Sequence, residues 1–387
     1  MTLHPTTVTL LLLLFWLSVG WVFYGYIGYP LLLALLRSFR RLAVQRAPIT
    51  PSLSVIVAVH NGARSIRTKL DNLLEQDYPA DLVQVIVADD ASTDGTAEIA
   101  AEYAGQGVRL VSLARRGGKE WAQRAAMGHV TGEIVAFTDV GTLMARNGLS
   151  MIVESFADPS VGCVSSTDRF MDNEGRPAAE GLYVRYEMLL RRMEMDVNSL
   201  VGLSGSFFAA RRALVPEFSD RMCSDFCTLF ASVRAGLRGV ADERAYGYYT
   251  NIANPAGEFG RKVRTVLRGL TAFFAAHDLL NPLRHPLFSW QFLSHKFVRW
   301  TVPFALIGAL GASGALALTG SLFFVVIFGI QVAAYLFALL SEASPRLTVG
   351  ALGRVVHYFV IVNVSIVVAW MRYLGGERVV TWNPSAR

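Results

Sequence analysis

The chain reads as an α/β domain with a doubly wound sheet, flanked by one amino-terminal and about three carboxyl-terminal transmembrane helices. Three observations predict this. An apolar run at Glu133-Ile-Val-Ala-Phe-Thr-Asp-Val-Gly-Thr142 breaks at Asp139, and a second, Val83 to Ala88, breaks at Asp89-Asp90. Long uncharged segments stand towards both ends of the chain. Ligands of open α/β sheets bind beyond the carboxyl ends of the strands, so these aspartates are placed to meet a phosphorylated ligand and its metal.

Composition agrees with a mixed architecture. Of 387 residues, 53% are hydrophobic and 17% charged, too apolar for a purely soluble enzyme and too charged for a bundle of spans alone. A net charge of +6 suits a protein beside an anionic membrane that handles an anionic substrate. No compact basic stripe with interleaved aromatics is present, which argues against nucleic acid as a partner. Cys163, Cys223 and Cys227 are too few for a disulfide framework and lack the further ligands of a zinc site, so they read as buried free thiols in a reducing compartment.

Taken in order, Thr9 to Leu36 is uncharged and exceeds the roughly 20 residues that cross a bilayer. Arg37, Arg40, Arg41 and Arg46 follow, whereas residues 1–8 hold no Lys or Arg, and the positive-inside bias puts the next domain in the cytosol. Residues 1–47 are therefore an anchor with a basic linker, and a soluble domain spans 48–280. Within it, Leu53 to Val59, Val83 to Ala88, Val108 to Leu113 and Glu133 to Phe137 read as buried parallel strands. They alternate with helices near Ala63 to Glu75, Asp94 to Ala104 and Lys119 to His129. Ser92-Thr93-Asp94-Gly95 supplies a turn and a helix cap behind the paired aspartates.

A longer helix is expected from Gly181 to Ser199, a Ser/Gly loop entering a strand over Gly202 to Ala210, and a helix from Ser224 to Ala235 stopped by Gly236. Strands and loops follow to about Gly257, then a basic helix from Glu258 to Ala276. Residues 281–300, rich in Pro, His, Trp and Phe, read as interfacial. Residues 301–387 hold the span candidates Thr301 to Leu318, Ser321 to Leu340 and Leu352 to Trp370, and a tail. Three later crossings leave that tail outside, yet Arg372, Arg378 and Arg387 argue for inside, which favours one segment being re-entrant or interfacial.

Several residues carry chemistry. The loop His60-Asn61-Gly62 can wrap a nucleobase and ribose through Asn61, or be an ordinary strand-to-helix turn. Adjacent carboxylates at Asp89 and Asp90 repel each other, a cost offset by a hydrogen-bond donor or cation, and a pyrimidine N3–H is a suitable donor. Arg261, Arg264 and Arg268 recur at helical spacing and gather on one face, ready for a pyrophosphate or for lipid headgroups.

The segment Asp89-Asp90-Ala-Ser-Thr-Asp-Gly-Thr96 is similar to the nucleotide-binding signature of membrane-anchored family 2 glycosyltransferases, the group of cellulose, chitin and hyaluronan synthases. Arg116-Gly117-Gly118-Lys119 resembles that family's Gly-Lys element, and Phe137-Thr138-Asp139-Val140-Gly141 stands where its Asp-x-Asp motif is expected, with Gly141 in place of the second acidic or amide group. Ser224-Asp225-Phe226 resembles the segment that carries the catalytic base. Arg261 and Thr265 stand where the Gln-x-x-Arg-Trp element would have its glutamine and tryptophan, and Lys296-Phe-Val-Arg299-Trp300 is a second partial match.

The resemblance implies a GT-A, Rossmann-like fold. It implies Asn61, Asp89, Asp90 and Lys119 at the nucleotide, Mg²⁺ or Mn²⁺ at Asp139, Asp225 as base, and Arg261 and Arg264 towards the diphosphate or acceptor. The expected activity is inverting transfer from a nucleotide sugar, taken as UDP-linked, to a glycan at the cytosolic face of the plasma membrane, in surface or extracellular polysaccharide synthesis. Membrane lipid, a homo-oligomer or an export partner would complete the system. Two alternatives stand beside it: single transfer to a polyprenyl-phosphate or other lipid-linked acceptor, and a degenerate transferase serving as a membrane scaffold.

Overall fold

The computed structural model describes residues 4–171, 182–218, 222–250, 255–343 and 350–378. Gly181 and Arg387 lie outside the described residues. The chain opens with helices α1 (Pro5–Phe23) and α2 (Tyr29–Phe39), joined by a π-helical turn at Tyr24–Gly28. Then come β1 (Leu53–Val59), α3 (Ala63–Leu74), β2 (Val83–Asp89), α4 (Thr96–Ala101), β3 (Val108–Ser112), α5 (Lys119–Met127), β4 (Ile134–Asp139) and β5 (Leu143–Met144). Next are α6 (Gly148–Glu154), β6 (Val161–Met171), α7 (Leu182–Val197), β7 (Phe207–Arg211), α8 (Ser224–Arg234) and β8 (Arg238–Thr250). The chain continues through α9 (Pro255–Ala275), α10 (Pro286–Phe292), α11 (Arg299–Ala317), α12 (Leu322–Ala343) and α13 (Ala351–Leu374). Two compact units result, one centred on residues 33–254 and the other on 1–32, 255–273 and 290–377.

The first unit holds an eight-stranded sheet in the order β3-β2-β1-β4-β7-β6-β8-β5. β1, β2, β3 and β4 run parallel, as their apolar runs predict, and β1 is buried at every position. β7 is antiparallel to both β4 and β6, while β8 runs parallel to β6, so the other half of the sheet is mixed. The expected strands and loops after Gly236 are one strand of 13 residues, β8. Val55, Val57, Val85, Val87 and Ala136 form the sheet's contribution to the core, against which α3 sets Ile66, Leu70 and Leu73. The apolar positions of α3 recur at i, i+4 and i+7, which puts them on one helical face.

Among the described residues, four helices are long and apolar enough to cross a membrane, and they lie mostly in the second unit: Pro5–Phe39, Pro286–Ala317, Leu322–Glu342 and Leu352–Leu374. α1 packs on α11 around Phe15, Ala309, Ala312 and Leu316. Small residues permit the approach, for a Cβ on Gly308 would stand 2.9 Å from Ser18 Oγ. The helical stretch that holds the span candidate starting near Thr301 runs back to Pro286, through most of the segment expected to lie at the interface. Within that stretch Phe292 and Trp300 are buried against Phe273, with ring centroids 5.0 and 6.1 Å away, so protein packing covers them.

Candidate active site

The carboxyl end of β1 lies between those of β2 and β4, at the point where the strand order turns back. Register places Asp89 beside Val59 and Asp139 beside Ala58, so two carboxylates flank the tip of β1. Both are the last residues of their strands, where an open α/β sheet receives its ligand.

On one side, two loops are laced together by side-chain-to-backbone hydrogen bonds. The Asn61 N–H donates to Ser92 Oγ at 2.9 Å, and the Thr93 N–H donates to Asn61 Oδ1 at 2.8 Å. Asp94 accepts from the N–H groups of Ala63 at 3.0 Å and Thr96 at 3.2 Å, the first residues of α3 and α4, and so caps both helices. Burial pushes its carboxyl up, but these bonds and the Thr96 hydroxyl hold it below the usual range.

Asp89 and Asp90 are 2% and 3% exposed. Asp89 accepts from the Ser92 N–H at 3.2 Å. Asp90 accepts from Gly117 N–H at 2.7 Å and Gly118 N–H at 2.9 Å, with the Arg116 guanidinium 3.9 Å away. Donors from the chain itself thus offset the paired charges. Gly118 has φ +96°, a conformation that favours glycine at this turn. Ala58, Val59, His60, Asp90, Lys119 and Ala122 line a cleft here.

Lys119, the first residue of α5, reaches across. Its ammonium donates to Asp139 Oδ1 at 2.6 Å and to the Gly205 carbonyl at 2.8 Å, and the Asp139 N–H donates to the Ser206 carbonyl at 3.0 Å. Asp225 is the second residue of α8, inside its first turn, with Cys223 at the cap. A Cβ on Gly205 would stand 3.3 Å from Asp225 Oδ2, so the absence of a side chain there lets the carboxylate approach the loop. Asp90, Lys119, Asp139, Gly205 and Asp225 therefore form one continuous set of contacts. Arg261 and Arg264 lie on α9, in the second unit.

Two neighbours escaped the sequence reading. Lys69 is fully buried and donates to Thr138 Oγ1 at 3.0 Å and to the Thr142 carbonyl at 2.5 Å, with its pKa lowered to about 7 by burial, against the pull of Asp139. A lysine interrupting the apolar Ile66, Leu70, Leu73 face was the available signal. Asp168, on β6, accepts the hydroxyls of Ser204 and Ser206; burial pushes its carboxyl up, opposed by those two hydroxyls and the Arg191 guanidinium. Its Asp-Arg step after an apolar run was visible but pointed to no partner.

The family resemblance implies a divalent cation, and the donor set can be weighed. Asp139 offers a hard oxygen with the side chain 16% exposed, Gly141 brings no side-chain donor, and among the described residues no group of three His, Cys, Asp or Glu could hold a metal ion. This fits Mg²⁺ or Mn²⁺ held by one protein carboxylate with substrate phosphates and water completing the shell, and not an all-protein cage.

A mixed sheet whose parallel half has acidic strand ends, a lysine at the neighbouring helix start and a further acid across the cleft define a GT-A glycosyltransferase domain. The chain belongs to glycosyltransferase family 2: residues 54–218 match the model described as Glycosyl transferase family 2. It is 32% identical over 140 residues to an N-acetylglucosaminyltransferase of Rhizobium leguminosarum bv. trifolii, a match covering 33% of this chain and 76% of that one. To glycosyltransferase AglE of Haloferax volcanii it is 30% identical over 132 residues, 34% of this chain and 43% of the relative, so it spans less than half of that protein. A solved structure, the mannosyltransferase PcManGT from Pyrobaculum calidifontis in complex with GDP-Man and Mn²⁺, is similar over 94% of this chain and all of that one, with 25% identity and a TM-score of 0.73.

Proposed function

We propose that this chain is an inverting glycosyltransferase that moves a sugar from a nucleotide donor, taken as UDP-linked, to a glycan acceptor at the cytosolic membrane face, in surface or extracellular polysaccharide synthesis. The observation that carries the reading is the contact series from Asp90 through Lys119, Asp139 and Gly205 to Asp225, which joins a nucleotide cradle to a candidate base.

Asn61, Asp89 and Asp90 shape the nucleotide end. Asp225 takes the proton of the acceptor hydroxyl as that oxygen attacks the anomeric carbon, and the bond to the diphosphate breaks on the opposite face, inverting the centre. Lys119 keeps Asp139 and the Gly205 loop in register. Mg²⁺ or Mn²⁺ at Asp139 would neutralise charge on the departing diphosphate. Arg261 and Arg264 are assigned to the same diphosphate by their place in the sequence. The four apolar helices support membrane insertion, and the arginines after the first favour a cytosolic domain.

A second reading, one transfer from a GDP-linked donor to a polyprenyl-phosphate or lipid-linked acceptor, is favoured by the GDP-Man in PcManGT and by the incomplete Arg-Trp element. Guanine N1–H is as suitable a donor to a buried carboxylate as uracil N3–H. The test is a radiolabelled screen of nucleotide sugars on purified wild type, Asp139→Ala and Asp225→Asn. Wild type should transfer or hydrolyse one donor in a metal-dependent way, Asp225→Asn should lose about 10² to 10⁴ in rate, and the product should carry one added sugar under the second reading and a polymer under the first. A wild-type protein that neither binds nor turns over any common nucleotide sugar would make it a scaffold.

A further inference from the structure

We propose that Asp168 is a positioning residue: it holds the Ser204-Gly205-Ser206 loop and thereby sets the spacing between the Asp139–Lys119 pair and Asp225. The role in catalysis rests on the transferase reading above, while the role in holding the loop does not.

Asp168 stands on β6, in register with Gly247 of β8. Its two carboxylate oxygens each lie 2.7 Å from Ser204 Oγ, and Oδ1 also accepts the Ser206 hydroxyl. The two hydroxyls are 2.9 Å apart, so one carboxylate gathers both serines flanking Gly205. A second tie runs parallel, because the Ser204 N–H donates to Ser165 Oγ at 2.7 Å and Arg191 donates to that same oxygen at 2.7 Å. The loop is thus held from β6 by its two serine hydroxyls and the Ser204 N–H.

Its backbone serves the opposite direction. The Gly205 carbonyl accepts Lys119, the Ser206 carbonyl accepts the Asp139 N–H, and the Gly205 Cα faces Asp225. A displacement of this loop therefore moves the donor-side pair and the candidate base relative to each other. Reactions that depend on a near-attack geometry lose about 10²-fold when reacting groups shift by about 1 Å. Taking a carboxylate out of water is costly without hydrogen-bond partners, and here its hydroxyl partners come from the loop it positions.

The experiment compares Asp168→Ala, Asp168→Asn and a Ser204→Ala/Ser206→Ala double variant in the full-length protein. Hydrogen exchange of the peptide spanning 203–207 is followed beside kcat, donor KM and nucleotide affinity. Asp168→Ala should speed exchange in that peptide and lower kcat by about 10- to 100-fold, with donor KM and nucleotide affinity within a few-fold of wild type. Asp168→Asn, which keeps a carbonyl acceptor and can donate to the second serine oxygen, should recover most of both. The serine pair should reproduce the alanine phenotype, and adding Asp168→Ala to it should cost little more. Unchanged exchange in both Asp168→Ala and the serine pair overturns the proposal, as does an Asp168→Asn variant as inactive as Asp168→Ala, since the charge itself would then be required. Wild type without nucleotide binding defeats the transferase reading and leaves the exchange arm to decide the rest.

Discussion

The two halves of the sheet are built differently. In the parallel half, β1 to β4, the functional carboxylates lie at or just past strand ends; Asp89 and Asp90 are satisfied by backbone amides, of Ser92 for one and of Gly117 and Gly118 for the other, while Asp139 meets the Lys119 ammonium. In the mixed half, β6 to β8 with α8, the acids lie within a strand or a helical turn and lean on side chains: Asp168 on two serines, and the end of α8 on an Arg234–Asp278 ion pair. Backbone donors are fixed by the fold, whereas hydroxyls and guanidinium groups must be ordered at an entropic cost. The first half is therefore a preformed cradle and the second an adjustable jaw. Substitutions in the cradle should damage stability and binding together; those in the jaw should damage rate more than stability.

The largest effect is expected at Asp90. Asp90→Ala removes the acceptor for the Gly117 and Gly118 N–H groups, the latter in a buried bond, and a buried unsatisfied donor costs about 1–3 kcal/mol. The loop that delivers Lys119 would be released with it. A drop of that size in unfolding free energy, together with at least about a tenfold loss of nucleotide affinity (~1.4 kcal/mol), should appear in denaturation and calorimetric titration. Loss of affinity with unchanged stability would mean that Asp90 serves the nucleotide alone and that the cradle is not preformed.

This contrast also explains what was legible in the sequence. Strand ends are local: an apolar run stopping at Asp89 or Asp139 announces both the element and the site, and the structure carries β2 and β4 up to those very residues. Asp225 was legible through its family segment, and it lies inside the first turn of α8. Asp168 and Lys69 were not legible, because their meaning lies in partners distant along the chain: Ser204 and Ser206 for one, Thr138 and Thr142 for the other. The packing of Phe292 and Trp300 on Phe273 was not legible for the same reason, since it joins residues distant along the chain.

A separate effect, seen only as a dependence on pH, should come from Lys69 at the edge of the cradle. Burial lowers its pKa from 10.5 to about 7, so between those values the unfolded chain binds a proton that the folded chain does not. Stability must then rise with pH across that window and level off below it, where both states are protonated. Lys69→Met should abolish this rise. Chemical denaturation at a series of pH values from 6 to 10 would read it, and a rise that persists in the variant would place its origin in another group.

The smallest effect belongs to the jaw. Arg234, at the end of α8, meets Asp278 through two hydrogen bonds of 2.7 and 2.8 Å, but both side chains are well exposed, at 43% and 38%. An exposed pair contributes about 0–1 kcal/mol, so Asp278→Asn should leave the unfolding free energy within about 1 kcal/mol of wild type at neutral pH. Arg234 holds the Asp278 carboxyl below its usual 3.8. Any contribution is therefore present above that value and fades as pH falls through the depressed one, so the variant and wild type should converge in acid. If instead Asp278→Asn cost as much stability as Asp90→Ala, α8 would be anchored as firmly as the cradle, and the distinction between a fixed and an adjustable side of the cleft would not hold.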